Sequence, residues 1–286
     1  MSRQNDLDTL PPLREVIAAH GLVADKKFGQ NFLLDSNITD KIARHAGIAC
    51  GCGDTGLADK HVIEIGPGPG GLTRSLLRAG AKSVTAIEFD PRAIGVLQDL
   101  KTVAGERLEI IEGDAMTYDL TTLTPAPRVI VANLPYNIAT PLLIGWLKQL
   151  RDDAGHYDAM ILMFQKEVAQ RICAQVGDKA YGRLAVMSNW LCSTKKLFDL
   201  SPAAFTPPPK VTSSVVQFVP KTLDEDAPLF ASVETITAAA FGQRRKMIRS
   251  SLKDYTEALD SCGIDPSLRA ENLRGDEFIK LAKSLS

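Results

Sequence analysis

Several things that this 286-residue chain lacks narrow what it can be. It has no excess of charge: 33 basic side chains stand against 34 acidic ones, for a formal net charge of −1. That balance argues against a surface that is an electrostatic trap for nucleic acid as a whole, and leaves room for a local basic face. No apolar run approaches the ~18 residues of a membrane span, and the opening MSRQNDLDTLPPLREV shows no charged-then-apolar signal pattern, so no membrane association and a cytoplasmic location are expected. The five cysteines, at 50, 52, 173, 192 and 262, are odd in number and scattered, which excludes a disulfide framework and fits reduced thiols. Cys50 and Cys52 form a CxC without a second ligand pair, so no metal site is expected. What is plentiful is core: 45% of residues are hydrophobic and an ordinary 23% are charged, which excludes disordered and fibrous classes and allows one large domain with one small.

Four Val- and Ile-rich runs, HVIEI (61–65), SVTAIE (83–88), RLEIIEG (107–113) and RVIVANL (128–134), alternate with helical segments, and this predicts a parallel sheet. GLTRSLLRAG, with leucines at helical spacing and Gly80 as a stop, and PRAIGVLQDLK, opened by Pro91, read as crossover helices. YDAMILMF (157–164), KKLFDL (195–200) and VTSSVVQFV (211–219) extend the sheet to about seven strands. The proline-rich SPAAFTPPPK between the last two is a surface loop or extended arm. After the acidic TLDEDAP no strand-like run remains, only helical segments such as FASVETITAAAF and RRKMIRSSLKDYTEAL. Three parts are expected: an amino-terminal extension (1–25), an α/β domain (26–221) and a small all-helical domain (222–286).

In an open parallel sheet the ligand lies beyond the carboxyl ends of the strands. After the first strand comes GPGPGG (66–71), where glycines such as Gly66 and Gly68 permit a tight turn and close approach of a ligand to backbone. After the second comes Glu88, able to accept from both hydroxyls of a ribose. After the third comes Asp114, able to accept from an adenine amino group, and after the fourth comes NLPY, Asn133, Leu134, Pro135 and Tyr136. The ligand implied contains adenosine. Gly66, Gly68 and Gly71 also satisfy the dinucleotide pattern GxGxxG, so a nicotinamide enzyme is the competing reading. A nicotinamide enzyme has no need of NLPY, whereas a transferase acting on an amino group does.

The exocyclic amine of adenine is a poor nucleophile because its lone pair is delocalised into the ring. The Asn133 side-chain oxygen and the main-chain carbonyl of Leu134 or Pro135 can accept its two N–H bonds and aim the lone pair at a methyl donor, with Tyr136 stacked on the base. None of the four histidines falls in these motifs, and none is required, because the methylated amine sheds its proton readily.

These segments resemble the ribosomal RNA adenine dimethyltransferases, and most of all the bacterial members that act on small-subunit RNA. The resemblance runs nearly the whole chain, through KKFGQNFL (26–33), VIEIGPGPGGLT (62–73), AIEFD (86–90), GDAM (113–116), NLPYNIATPLL (133–143), FQKEVAQRI (164–172), KAYGRLAV (179–186), SPAAFTPPPKVTSSVV (201–216) and FGQRRKMIRSSL (241–252). It departs at residues 50–61, which are longer and more glycine-rich than the family's usual connection. It implies a class I, Rossmann-like methyltransferase with a seven-stranded, mostly parallel sheet and a helical carboxy-terminal domain. It implies S-adenosyl-L-methionine as cofactor, held by Asn31, Leu33, Gly66, Gly68, Glu88, Asp114 and Asn133. It also sets Phe205, in the FTPPPKV loop, beside the target base as a second aromatic face opposite Tyr136; the alternative for Phe205 is a hydrophobic plug over the sheet.

Arg244, Arg245, Lys246, Arg249 and Lys253 follow one another without an intervening acid, and Lys26 and Lys27 precede GQNFL, so a local phosphate-binding face is available on the helical part. The activity implied is N6,N6-dimethylation of two adjacent adenosines near the 3′ end of 16S rRNA in the immature 30S subunit, by a monomer. The alternatives are a large-subunit adenine methyltransferase of the antibiotic-resistance type, against which FTPPPKV and FGQRRKMIRSSL weigh, and a ribosome-assembly factor in which occupancy outweighs chemistry.

Overall fold

The structure, a computed structural model, describes residues 7–25, 27, 29–53 and 56–285. Nine strands are found among them: β1 (Phe32–Leu33), β2 (His61–Ile65), β3 (Ser83–Glu88), β4 (Leu108–Glu112), β5 (Arg128–Ala132), β6 (Ala159–Gln165), β7 (Cys192–Leu200), β8 (Phe205–Thr206) and β9 (Ser213–Pro220). Seven form one sheet in the order β4-β3-β2-β5-β6-β9-β7, and β1 pairs with β8 in a separate antiparallel ribbon. The contacts of β2 with β3 and β5, of β3 with β4, and of β5 with β6 are parallel; β9 runs antiparallel to β6. Every residue of β2 is buried, as befits a central strand covered on both faces.

The predicted punctuation is where the helices begin and end. Gly70, at φ +87°, precedes the helix Gly71–Arg78, whose Leu72, Leu76 and Leu77 are buried, and Gly80 (φ +85°) follows its end. Pro91 opens Pro91–Ala104, with the Asp90 side chain accepting from the Arg92 amide as cap. The fourth run stops at Ala132, two residues before its expected end. Ala132 is opposite Ile65, the last residue of β2, and beyond it Gly66 (φ +65°) turns the neighbouring strand away. Asn133 and Leu134 therefore have no ladder partner on that side.

The chain divides into two compact units, Met1–Leu143 with Gly155–Lys166 and Leu197–Val219, and Ile144–Ala154 with Glu167–Lys196 and Pro220–Ser286. The helical unit is thus not the 222–286 segment alone. Helix Arg183–Leu191 belongs to it, and its interior is aromatic: Phe241 stacks on Phe278 at 5.4 Å and meets Tyr181 edge-on at 5.9 Å, while Trp190 lies 6.4 Å from Phe230. The earlier pieces complete its core, Tyr181 packing on Phe241 and Trp190 beside Phe230. Within residues 7–25, expected as part of an extension, Leu7, Leu13, Val16 and Leu22 are all buried.

RRKMIRSSLKDYTEAL is not one helix. Residues 242–246 form a turn, followed by short helices Ile248–Ser251 and Thr256–Ser261 with a 3-10 turn Lys253–Tyr255 between. The amides of Ile248 and Arg249 bond the Leu268 and Pro266 carbonyls, partners far along the chain that replace the helical ones.

Gly71 shows how closely the β1 segment meets the first crossover helix: a Cβ there would lie 2.5 Å from the Leu33 carbonyl oxygen. Gly71→Ala is expected to destabilise the protein by about 1–3 kcal/mol through overpacking. Urea unfolding checks this, and an unchanged midpoint would contradict the contact.

Candidate active site

The order of the sheet reverses at β2, whose neighbours β3 and β5 lead to opposite edges, and that is where the crevice opens. Parallel registry brings the strand ends level: Ile65 is opposite both Ile87 and Ala132, and Glu88 opposite Glu112. A cavity of about 290 Å³ there is lined by Asn31, Leu33, Gly66, Gly68, Glu88, Asp114, Asn133, Leu134, Pro135 and Tyr136, so the structure gathers all ten of these predicted residues around one space.

Glu88 is 6% exposed and held by three amides, Gly68 N–H to Oε2 at 2.9 Å, and Phe89 and Asp90 N–H to Oε1 at 2.8 and 2.9 Å. Burial nevertheless pushes its carboxyl upward. Of the roughly four acceptor directions of a carboxylate, three are taken, which narrows the expected two hydroxyl bonds to one, at Oε2. Asp114 spends Oδ1 on the Met116 amide at 2.9 Å, capping a 3-10 turn, and keeps Oδ2.

At NLPY the structure chooses between two carbonyls. The Pro135 oxygen accepts from Ile138 and Ala139, both at 3.1 Å, as the first turn of helix Tyr136–Asp152 requires. Pro135 is thereby removed as an acceptor for substrate, and the Leu134 carbonyl remains. The Asn133 amide is oriented by chemistry: Nδ2 donates to the Asn31 main-chain oxygen at 3.1 Å, and since a carbonyl can only accept, the NH2 end must face it. Oδ1 is left as an acceptor. Tyr136, the first residue of its helix, is half-buried and its hydroxyl is 2.6 Å from Ser213 Oγ. Burial raises its phenol above the ordinary range, so it stays neutral.

Phe205 does not face Tyr136. It is 3% exposed, paired opposite Leu33 in the β1–β8 ribbon and packed in the core with Leu33, Leu200 and Val215. It is the hydrophobic plug, because the ribbon's register turns its side chain inward. Among the described residues, the aromatic rings lining the cavity besides Tyr136 are Phe32 and Phe89, the latter 59% exposed.

Glu64 was not legible as a site residue. It sits inside β2, where a lone acid in an apolar strand is the available signal, and it lines the cavity with 1% exposure and Oε2 unbonded. Burial, reinforced by the charge of Glu88, pushes its carboxyl up to about 8.

The basic residues lie on the turn of the second unit. Arg244 is committed to structure, its Nη2 bonding the carbonyls of Lys179 and Tyr181 at 3.1 Å each and approaching Glu271 at 3.6 Å. Arg245, Lys246 and Arg249 are exposed. Lys27 is exposed and paired with Asp25 at 3.3 Å; Lys26 lies outside the described residues.

Glycine turn, carboxylate and amide at the reversal point of a seven-stranded, mostly parallel sheet define a class I methyltransferase. The model of the family described as ribosomal RNA adenine dimethylase matches residues 22–286, and the chain belongs to that family. It is 52% identical over 281 residues to ribosomal RNA small subunit methyltransferase A of Rhodospirillum rubrum, covering 97% of this chain and 93% of the relative. To the protein of the same name in Rhodopseudomonas palustris strain BisA53 it is 54% identical over 286 residues, covering 98% and 96%. Among solved structures, a dimethyladenosine transferase from Plasmodium falciparum superposes with a TM-score of 0.68 at 28% identity, over 86% of this chain and 94% of that one. The 23S rRNA methyltransferase ErmE does so with 0.64 at 25%, over 89% and 99%. The enzyme is an rRNA adenine dimethyltransferase.

Glu64 generates a pH prediction. With its carboxyl raised from 4.5 to about 8, the folded state holds a proton that the unfolded chain releases, so the cost of burying Glu64 is absent below pH 4.5 and grows to a few kcal/mol as pH rises to 8. Glu64→Gln is expected to flatten this decline. Urea titrations of both proteins at pH 5.5 and 8 check it, and equal slopes would refute the assignment.

Proposed function

We propose that this enzyme dimethylates the 6-amino groups of two adjacent adenosines near the 3′ end of 16S rRNA in the immature small subunit, acting as a cytoplasmic monomer with S-adenosyl-L-methionine. The observation that carries the reading is the acceptor pair, Asn133 Oδ1 and the Leu134 carbonyl, set beside a glycine cradle at the switch point. The names of the relatives at 52% and 54% identity support the small-subunit over the large-subunit substrate.

The residues present fit the cofactor. Gly68, at φ +54°, could carry a Cβ only at 3.1 Å from the Phe32 ring, so the turn is open to a ligand because side chains are excluded from it. Gly66, Gly68, Asn31 and Leu33 would hold the amino-acid end, Glu88 a ribose hydroxyl, and Asp114 Oδ2 the adenine amino group. Glu64 Oε2, buried and without a hydrogen-bond partner, is a further polar atom in the same space, on a carboxyl that keeps its proton at neutral pH. When bound, the cofactor supplies an electrophilic methyl group on a sulfonium.

This chain's own contribution is to the amine. Asn133 Oδ1 and the Leu134 oxygen take its two N–H bonds, which draws the nitrogen toward a tetrahedral state and frees its lone pair from the ring. Tyr136 stacks on the base after the adenosine leaves its helix stack, as enzymes acting on bases require. Arg245, Lys246 and Arg249 neutralise phosphates, while acidic surface elsewhere keeps the total near zero.

Mapping methylated adenosines on small- and large-subunit RNA after reaction with the pure protein tests the assignment; methylation of large-subunit RNA alone overturns it. Asn133→Ala is expected to keep cofactor and subunit binding and to lower methyl transfer by about 10²–10³-fold. Unaltered transfer would remove Asn133 from the chemistry.

A further inference from the structure

The orientation of Asn133 depends on a main-chain oxygen that belongs to a segment with little structure of its own. Residues 29–31, just before β1, are neither helix nor strand, and Asn31 and Gly29 are linked locally by Asn31 Nδ2 donating to the Gly29 carbonyl at 3.1 Å. Besides the Asn133 bond, Gln30 ties this segment across to the end of β3. Its Oε1 accepts from the Asp25 amide at 2.9 Å, and its Nε2 donates to Asp90 Oδ2 at 2.8 Å. Asp90 is a fixed point: 1% exposed, it caps its helix through Oδ1 and the Arg92 amide at 3.1 Å and receives the Arg92 guanidinium at 2.9 Å on Oδ1 and 2.7 Å on Oδ2. Both ends of the Gln30 amide are thus spent on protein partners.

We propose that Gln30 is a positioning residue for methyl transfer: through Asp90 it fixes the main-chain oxygen of Asn31, which in turn holds the Asn133 amide with its oxygen presented to the substrate nitrogen. This rests on the role given to Asn133 above. The two ends of an asparagine amide are nearly the same size, so packing alone does not choose between them; only the fixed acceptor at Asn31 does. A turned amide offers N–H to N–H, repelling the adenine amine instead of accepting from it. Loss of Gln30 therefore acts on the rate of transfer more than on the binding of either ligand, because Leu33 remains anchored by its pairing with Phe205.

The test uses Gln30→Leu and Gln30→Glu in the full chain. The glutamate variant keeps the size and the acceptor for Asp25 but cannot donate to Asp90, and so reads the same tie if the leucine variant fails to fold. Three quantities are measured: the single-turnover transfer rate at saturating S-adenosylmethionine and small-subunit RNA, the Kd for S-adenosylmethionine by calorimetry, and the exchange with solvent of the Asn133 side-chain amide protons, assigned by their loss in Asn133→Ala. The expected result is a fall in rate of about tenfold or more, a rise in Kd of less than about threefold, and faster exchange of the Asn133 protons. Unchanged Asn133 exchange, or a Kd that rises as much as the rate falls, overturns the proposal. The outcomes separate the two readings. Full transfer by Asn133→Ala ends the role of Asn133 itself, whereas loss in Asn133→Ala with wild-type behaviour in both Gln30 variants ends only that of Gln30.

Discussion

The parallel pairing of β2 on both of its edges is the constraint on which the site depends. Because Ile65 is level with Ile87 on one side and Ala132 on the other, the chain leaves three neighbouring strands at one height, and Gly66, Glu88 and Asn133 emerge at a common edge. No side chain at the crevice would meet the others if any of these strands slipped by one residue, since a slip also reverses which face each side chain occupies. The fully buried β2 makes such a slip costly, and the apolar core beneath the crevice serves catalysis by holding the register.

The chemistry on that edge is built from acceptors. Asn133 Oδ1, the Leu134 carbonyl, Glu88 and Asp114 are all acceptor groups of residues lining the cavity, and backbone amides already engage part of them, three on Glu88 and one on Asp114. Such a site selects a ligand rich in N–H and O–H groups, which an adenosine-containing donor and an adenine substrate both are. Glu64 Oε2, facing the same space, is one of six buried side-chain atoms without a hydrogen-bond partner among the described residues.

Much of this was legible in the chain. The strands announced themselves by continuous Val and Ile, the turns by Gly70, Gly80 and Pro91, and the site by the residues just beyond each strand's carboxyl end, because each of these signals is local. What escaped was non-local. Phe205 looked available because its neighbours are prolines on a surface loop, but its burial is set by pairing with Leu33, far away in sequence. The basic stretch looked helical because its residues favour helix, yet the carbonyls of Pro266 and Leu268 claim its amides. The helical unit's inclusion of residues 181–191 arises from rings at Tyr181 and Trp190 that carry no periodic signal of their own. Gln30 was hidden in a recognised motif, its partner Asp90 lying on another strand end.

The two-residue ribbon of β1 and β8 has a consequence for when the enzyme comes into being. Phe32 and Leu33, next to the residue that orients Asn133, have Thr206 and Phe205 as their strand partners, more than 170 positions later in the chain. Contacts so distant form late, because the entropy of closing the intervening loop is lost before the pairing returns anything. The ribbon beside the cavity is consequently closed only after residue 206 has been made, well after the segments that carry Gly66, Glu88 and Asp114. A growing chain thus has the strands that carry its glycine turn and its carboxylates before Phe205 and Thr206 exist to pair with Phe32 and Leu33, and the crevice gains its amino-terminal wall from a partner made much later.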